Sequence, residues 1–261
     1  MNLKVEGLRY RYPGTERVIF HDVELEIAGG EVLSILGANG AGKSTLLNCI
    51  SGLFAPEAGH VSIGGRDIRT MSKRELAGQI AYVPQSHAPV YDFSVLEFTV
   101  MGRTPYLSAF AAPGKEDFRK AEEALERIGI PHLKDKYYTR ISGGERQLAM
   151  IARAICQEPR FIFLDEPTSH LDYGNQIKTV RLVQELAEQG FGLIMTTHNP
   201  DQVLYSGGKV ALLDRTGALR FGSPEEILDE KVLSDLYREP VSVFYSEEMG
   251  RTVCLSGKRN R

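Results

Sequence analysis

The stretch Gly37-Ala38-Asn39-Gly40-Ala41-Gly42-Lys43-Ser44-Thr45 constrains this chain more than any other part of it. It follows a short apolar run, Val32–Leu36, and leads into Leu46 and Leu47 of a helix-like segment. A strand, a glycine-rich turn and a helix start, in that order, aim successive backbone N–H groups at one point. The positive end of the helix dipole adds to them. Such a cradle takes the β-phosphate of a nucleotide. Lys43 then reaches the β- and γ-phosphates, and the Ser44 hydroxyl binds Mg2+.

A phosphate cradle of this kind needs a carboxylate at the end of a neighbouring buried strand. Arg160-Phe-Ile-Phe-Leu164-Asp165-Glu166 supplies it, with four apolar residues before two acids. An acid on a core strand is costly unless it meets a cation. Asp165 is the natural partner of the Mg2+ and its water, and Glu166 is placed to polarise an attacking water. These two motifs fit any P-loop NTPase, and they do not say what hydrolysis drives.

The rest of the chain alternates in the same way. Val32–Leu36, residues 61–63, Ile80–Val83, Phe161–Leu164 and residues 193–196 and 210–213 read as short buried strands. Residues 43–51, 145–157 and 177–189 read as helices among them. Alternation predicts an α/β fold with a parallel-sheet core. The segment 3–27 reads instead as short strands with turns, an antiparallel β patch beside the main sheet. Residues 86–159 show no strand and two helical patterns, 116–128 and 145–157, which predicts a helical subdomain inserted into the core. After Ser223 come two short helix patterns and a hairpin, Val241–Ser246 with residues 251–255. The organisation expected is one domain over 1–261: core 1–85 and 159–225, helical subdomain 86–158, and a C-terminal extension 226–261.

Composition narrows the partners. Of 261 residues, 42% are hydrophobic and 25% charged, enough apolar content for a sizeable core. The net charge of −3 gives no global basic field, so nucleic acid is not an expected partner. Three widely spaced cysteines, Cys49, Cys156 and Cys254, make neither a disulfide framework nor a zinc site, and the first two read as small core fillers. The start of the chain is too polar for a signal peptide, and no apolar run approaches the roughly 20 residues that span a bilayer. Attachment to a membrane would therefore need another subunit.

The segment Ile141-Ser142-Gly143-Gly144-Glu145-Arg146-Gln147 ends eighteen residues before Asp165. Here the chain resembles the ATP-binding cassette (ABC) ATPases, whose signature is written LSGGQ. Ile141 and Glu145 replace the usual Leu and Gln. The resemblance covers about residues 2–225, and it implies a RecA-like P-loop fold binding ATP and Mg2+. It implies that Ser142, Gly143, Gly144 and Glu145 complete the nucleotide site of a second copy, in an ATP-sandwich homodimer. It places Tyr12 as the aromatic that stacks on adenine and Gln85 as the glutamine that senses Mg2+. Ser44, Gln85 and Asp165 are then the residues at the metal. Residues 169–172, Ser-His-Leu-Asp, match the loop that runs along the dimer interface, and His198 matches the histidine that contacts the γ-phosphate. Lys43, Glu166 and His198 form the catalytic set.

A narrower resemblance follows Gln85. Phe93-Ser-Val-Leu-Glu-Phe-Thr-Val100-Met101-Gly102-Arg103-Thr104-Pro105-Tyr106 is similar to the corresponding stretch of ATPases that serve importers of ferric siderophores, haem and cobalamin. It implies an ATPase held at the cytoplasmic face of the membrane by integral permease subunits, with an extracytoplasmic solute-binding protein. Residues 95–106 are expected to dock a cytoplasmic helix of the permease. The alternative for those side chains is that they fill the core of the helical insertion. The alternative for the whole chain is a soluble single-cassette ABC ATPase, such as one of iron–sulfur cluster assembly.

Overall fold

The computed structural model describes residues 1–85, 91–108 and 111–256. They divide into two compact units: Met1–Thr70 with Val183–Arg261, and Met71–Leu182. Residues 86–90 and 109–110 of the expected insertion and 257–261 of the expected extension lie outside the described residues.

The first unit opens with an antiparallel sheet. Strands β1 (Asn2–Arg11), β2 (Val18–Ala28), β4 (Ala58–Ile63) and β5 (Arg66–Asp67) lie in the order β2-β1-β4-β5. Alternation sets the register: Leu3 faces Ile27 and Ile63, and Val5 faces Leu25 and Val61, with all six side chains buried. Residues 61–63, expected in the parallel core, therefore belong to the antiparallel patch. A three-residue apolar run announces burial, but it does not say which strand lies beside it. Between β2 and β4 the chain passes through β3 (Val32–Leu36), buried at every residue, and helix α1 (Lys43–Ile50).

The second unit contains α2 (Lys73–Ala77), β6 (Ile80–Val83), α3 (Val95–Val100), α4 (Lys115–Ile128), α5 (Gly143–Cys156), β7 (Phe161–Leu164) and most of α6 (Tyr173–Glu188). β6 and β7 pair in parallel with Val83 beside Leu164. Both helices expected in the insertion are present, with α3 and a 3-10 turn, Met101–Tyr106, in addition. Val95, Phe98, Thr99 and Val100 are buried, and the Phe98 ring stacks on Tyr138 at 4.0 Å between centroids. A Cβ on Gly102 would lie 2.2 Å from the Arg153 carbonyl oxygen, so close packing against α5 requires the glycine. Arg103 is 6% exposed and ion-paired to Asp117 and Glu158. These six residues fill the core of the helical subdomain, which corrects the expectation that they form a docking surface. Glu97, Met101, Thr104 and Tyr106 are the exposed members of that stretch.

The chain then returns to the first unit through β8 (Gly192–Thr197), α7 (Pro200–Ser206), β9 (Lys209–Leu213), β10 (Leu219–Gly222), α8 (Pro224–Ile227), α9 (Glu230–Tyr237) and the hairpin β11 (Val241–Ser246) and β12 (Arg251–Ser256). β3 lies between β8 and β9, parallel to both, and β10 closes antiparallel on β9. Leu36, Val203, Val210 and Leu212 pack with Leu228, Leu233 and Leu236, so α8 and α9 share the core of the phosphate-cradle strand. Cys49 and Cys156 are buried fillers, and burial pushes each thiol up to about 12.

Candidate active site

In the first unit, β3 delivers the chain to Gly37, where a Cβ would sit 2.6 Å from the Leu213 carbonyl oxygen. At Gly42, the residue before α1, φ is 105°, and a Cβ would fall 2.4 Å from Ile19 Cγ2. Both positions admit only glycine, one for space and the other for space and conformation. No side chain caps α1, so the leading N–H groups of the helix have no side-chain cap competing with a phosphate. Lys43 is buried, and its ammonium donates to the carbonyls of Gly37 and Ala38 at 3.1 and 3.3 Å. The lysine thus lies across the turn it serves. Ala38 and Ala41 are buried while Asn39 and Gly40 form the exposed tip.

Tyr12 is 39% exposed. Its hydroxyl lies 2.7 Å from Thr45 Oγ1, and its ring meets Tyr10 and Phe54 edge-on. The ring is fixed at the start of α1 with part of its surface open. His198 follows β8 directly. Leu36 pairs with Thr197, so Gly37 and His198 leave neighbouring parallel strands at the same end. Loops at the carboxyl ends of parallel strands are where such sheets bind ligands.

In the second unit, the pairing of Val83 with Leu164 does the same for Gln85, Asp165 and Glu166. The Asp165 N–H donates to the Val83 carbonyl at 2.9 Å. Its carboxylate is buried and accepts from Tyr82 Oη at 3.3 Å. The Tyr82 phenol is pushed far up by burial and by the adjacent Asp165 charge, so it remains a donor. Glu166 has φ 44°, a conformation that costs a non-glycine residue about 1–3 kcal/mol. The Ser169 N–H and hydroxyl hold it there by donating to the Glu166 carbonyl at 3.0 and 2.9 Å. Gln85 Nε2 donates to Glu166 Oε2 at 3.3 Å, which leaves the Gln85 amide oxygen for a cation. The hydroxyl of Ser44, the amide oxygen of Gln85 and the carboxylate of Asp165 are hard oxygen donors, the class that Mg2+ takes.

Ser142 is the N-cap of α5. Its hydroxyl accepts from the Glu145 N–H at 3.3 Å, and the Glu145 carboxylate accepts from the Ser142 N–H at 2.7 Å. This capping box gives the Glu in place of Gln a local purpose. The backbone N–H of Ser142, with the Ser142 hydroxyl, holds the Glu145 carboxyl below its ordinary value. A Cβ on Gly143 would meet nothing within 4 Å, whereas one on Gly144 would come 3.1 Å from the Asn175 amide, which is itself bound to Asp172. The signature helix therefore abuts the segment 169–172 and the start of α6.

Within the first unit the structure thus brings together Tyr12, the turn 37–45 and His198. Within the second it brings together Gln85, Asp165 and Glu166, with Ser142–Glu145 beside the 169–172 segment. Tyr82 is not singled out by the sequence. The only cue to it is its place one residue before the end of β6, whose partner strand β7 runs directly into Asp165.

A family model described as ABC transporter matches residues 20–169. The chain is 36% identical to the molybdate import ATP-binding protein MolC of Haemophilus influenzae, covering 92% of this chain and 89% of that one. It is 35% identical to the hemin import ATP-binding protein HmuV of Gloeobacter violaceus, covering 87% and 83%. Among solved structures, a chain from a protein described as a metal-chelate type ABC transporter in an inward-facing conformation superposes with a TM-score of 0.87. That chain is 33% identical, with 98% of each chain covered.

Proposed function

This chain belongs to the ABC transporter family, and from that membership we propose that it is the ATP-hydrolysing subunit of a membrane importer for a metal chelate such as haem or an iron–siderophore. The observation that carries the reading is the pairing of two kinds of phosphate-directed helix start in one chain. One is the uncapped α1 behind Gly42; the other is α5, which opens with Ser142 as its N-cap and two glycines behind it. A single nucleotide needs only the first. The second is explained by a neighbour's nucleotide, which makes ATP part of the interface between two copies.

In this reading Lys43 and the backbone N–H groups of the turn hold the β- and γ-phosphates, Tyr12 stacks on adenine, and His198 donates to the γ-phosphate. Ser44, Gln85 and Asp165 are the residues that would hold Mg2+, and the ion would neutralise phosphate charge there. Glu166 accepts a proton as the water oxygen attacks the γ-phosphorus, and the bond from that phosphorus to the β–γ bridging oxygen breaks. Loss of the γ-phosphate removes contacts made to Ser142–Gly144 of the second copy, and the dimer opens. Closure is a shift of population paid for by differential binding of ATP to the closed form.

Among the described residues no helix is long and apolar enough to cross a membrane. Integral permease subunits are therefore the proposed anchor, at the cytoplasmic face, with a solute-binding protein on the other side. The 36% identity to a molybdate import protein favours an oxyanion as the second reading of the solute. Sedimentation of the purified chain tests the composite site. With ATP and magnesium the wild type should dimerise, and Ser142→Arg should stay monomeric while still binding ATP. Isolation of the chain with a many-spanning permease, and ATP-dependent uptake of haem or molybdate by that complex in vesicles, tests importer and solute. A stable complex with a soluble assembly factor in place of a permease would favour the soluble alternative.

A further inference from the structure

The C-terminal extension does more than cover the sheet. Leu228, Leu233 and Leu236 enter the same cluster as Leu36 and Ala38, so this segment is part of the core beneath the phosphate cradle. Tyr237, the last residue of α9, packs on that cluster and sends its hydroxyl to the carbonyl oxygen of His198 at 2.8 Å. Arg251 of β12 grips Asp201, the second residue of α7, with two parallel bonds of 2.8 and 2.9 Å, and stands 5.2 Å from the Tyr205 ring centroid. The Cys254 N–H adds a longer bond to the same carboxylate. The hairpin is tied to α9 in turn, because the Val241 N–H donates to Ser234 Oγ at 3.0 Å and the Val243 N–H to Glu230 Oε1 at 3.2 Å. The contacts close a ring: α9 to hairpin, hairpin to α7, α7 to the turn that carries His198, and that turn back to α9.

Thr197 and Asn199 are fixed by local bonds: Thr197 Oγ1 donates to Gln202 Oε1 and accepts from the Asn199 N–H, and Asn199 Oδ1 caps α7. His198 itself lies between them with an exposed side chain. The Tyr237 bond is made to the backbone of that residue, so it sets the peptide plane from which the imidazole projects. Burial pushes the Tyr237 phenol far above its ordinary value, which keeps it a donor throughout the working pH range.

We propose that Tyr237 is a positioning residue for His198, and that the C-terminal extension is the brace that holds the γ-phosphate-contacting histidine in place. The inference rests on the reading of His198 given above, and the test separates the two. Full-length Tyr237→Phe keeps the ring in its packing site and removes only the hydroxyl. Its kcat for Mg-ATP hydrolysis should fall by about three- to tenfold, the scale of one ordinary hydrogen bond, with KM changed by less than about twofold. In a His198→Ala background, followed by single turnover over hours, the same substitution should cause no further fall. The histidine side-chain resonance that His198→Ala deletes should shift or broaden in Tyr237→Phe while the other histidine resonances stay put. Wild-type kcat and an unmoved His198 resonance in Tyr237→Phe, with His198→Ala impaired, would overturn the brace and leave the proposed function standing. An equal fall in both backgrounds would overturn it as well, because Tyr237 would then act elsewhere. Wild-type turnover in His198→Ala would overturn both.

Discussion

Replacing Arg103 by Met tests whether residues 95–106 are core or surface. The guanidinium donates through Nε to Asp117 Oδ1 at 3.2 Å and through Nη1 to Glu158 Oε2 at 2.7 Å and the Cys156 carbonyl at 3.0 Å. It also covers the Tyr106 ring at 4.0 Å. Methionine preserves the apolar stem and removes every one of these bonds. Breaking a buried ion pair by deleting one partner costs about 3–5 kcal/mol. Arg103 and Asp117 are nearly buried, but the Glu158 side chain is 49% exposed and keeps Lys120, so solvent screens part of the loss. The expected cost is therefore about 2–4 kcal/mol. At about 2–4 °C per kcal/mol for a chain of this size, melting should occur about 5–15 °C earlier. Arg103→Glu should be worse, because it sets a third carboxylate beside Asp117 and Glu158. The assay is thermal unfolding of the isolated chain by circular dichroism, with Thr104→Ala as an exposed neighbour expected to change little. A melting temperature within a degree or two of wild type for Arg103→Met would refute the burial argument and return Arg103 to the docking surface.

Glu166→Gln should keep ATP binding, slow phosphate release by at least about a hundredfold, and trap an ATP-bound dimer visible by sedimentation; wild-type release would remove Glu166 from the mechanism. Gly42→Ala forces a Cβ onto φ 105° and into Ile19, so binding of a fluorescent ATP analogue should weaken at least about tenfold, and unchanged binding would refute the steric account of the cradle. The Glu145 carboxyl titrates below its unfolded value of about 4.3, so its stabilising contribution is fully present above that pH and is lost as pH falls through the folded value. Glu145→Gln, which can still cap the Ser142 N–H, should therefore lose less melting temperature than wild type between pH 6 and pH 3; an identical loss would deny the capping carboxylate that role.

Residues 37–45, Asp165 with Glu166, and the Ser142-to-Glu145 cap are all legible in the sequence because their geometry is local. A turn that needs glycine, a helix start three residues from its capping acid and an acid closing an apolar strand are each written within ten residues. The hairpin after residue 240 is legible for the same reason. Three other features were not, and they share a cause. Residues 61–63 read correctly as a buried strand, but their partner, Leu3 to Val5, is more than fifty residues away, and an apolar run carries no record of its neighbour. Arg103 reads as a surface cation until Asp117, Cys156 and Glu158 come around it from two other segments. Tyr237 carries no motif, and its bond to His198 exists only because α9 returns to the core under β3. Local sequence sets backbone conformation and the identity of reactive groups. Which polar atom a distant side chain meets, and which face of an element is covered, depends on how the chain closes on itself, and that was decided by tertiary packing.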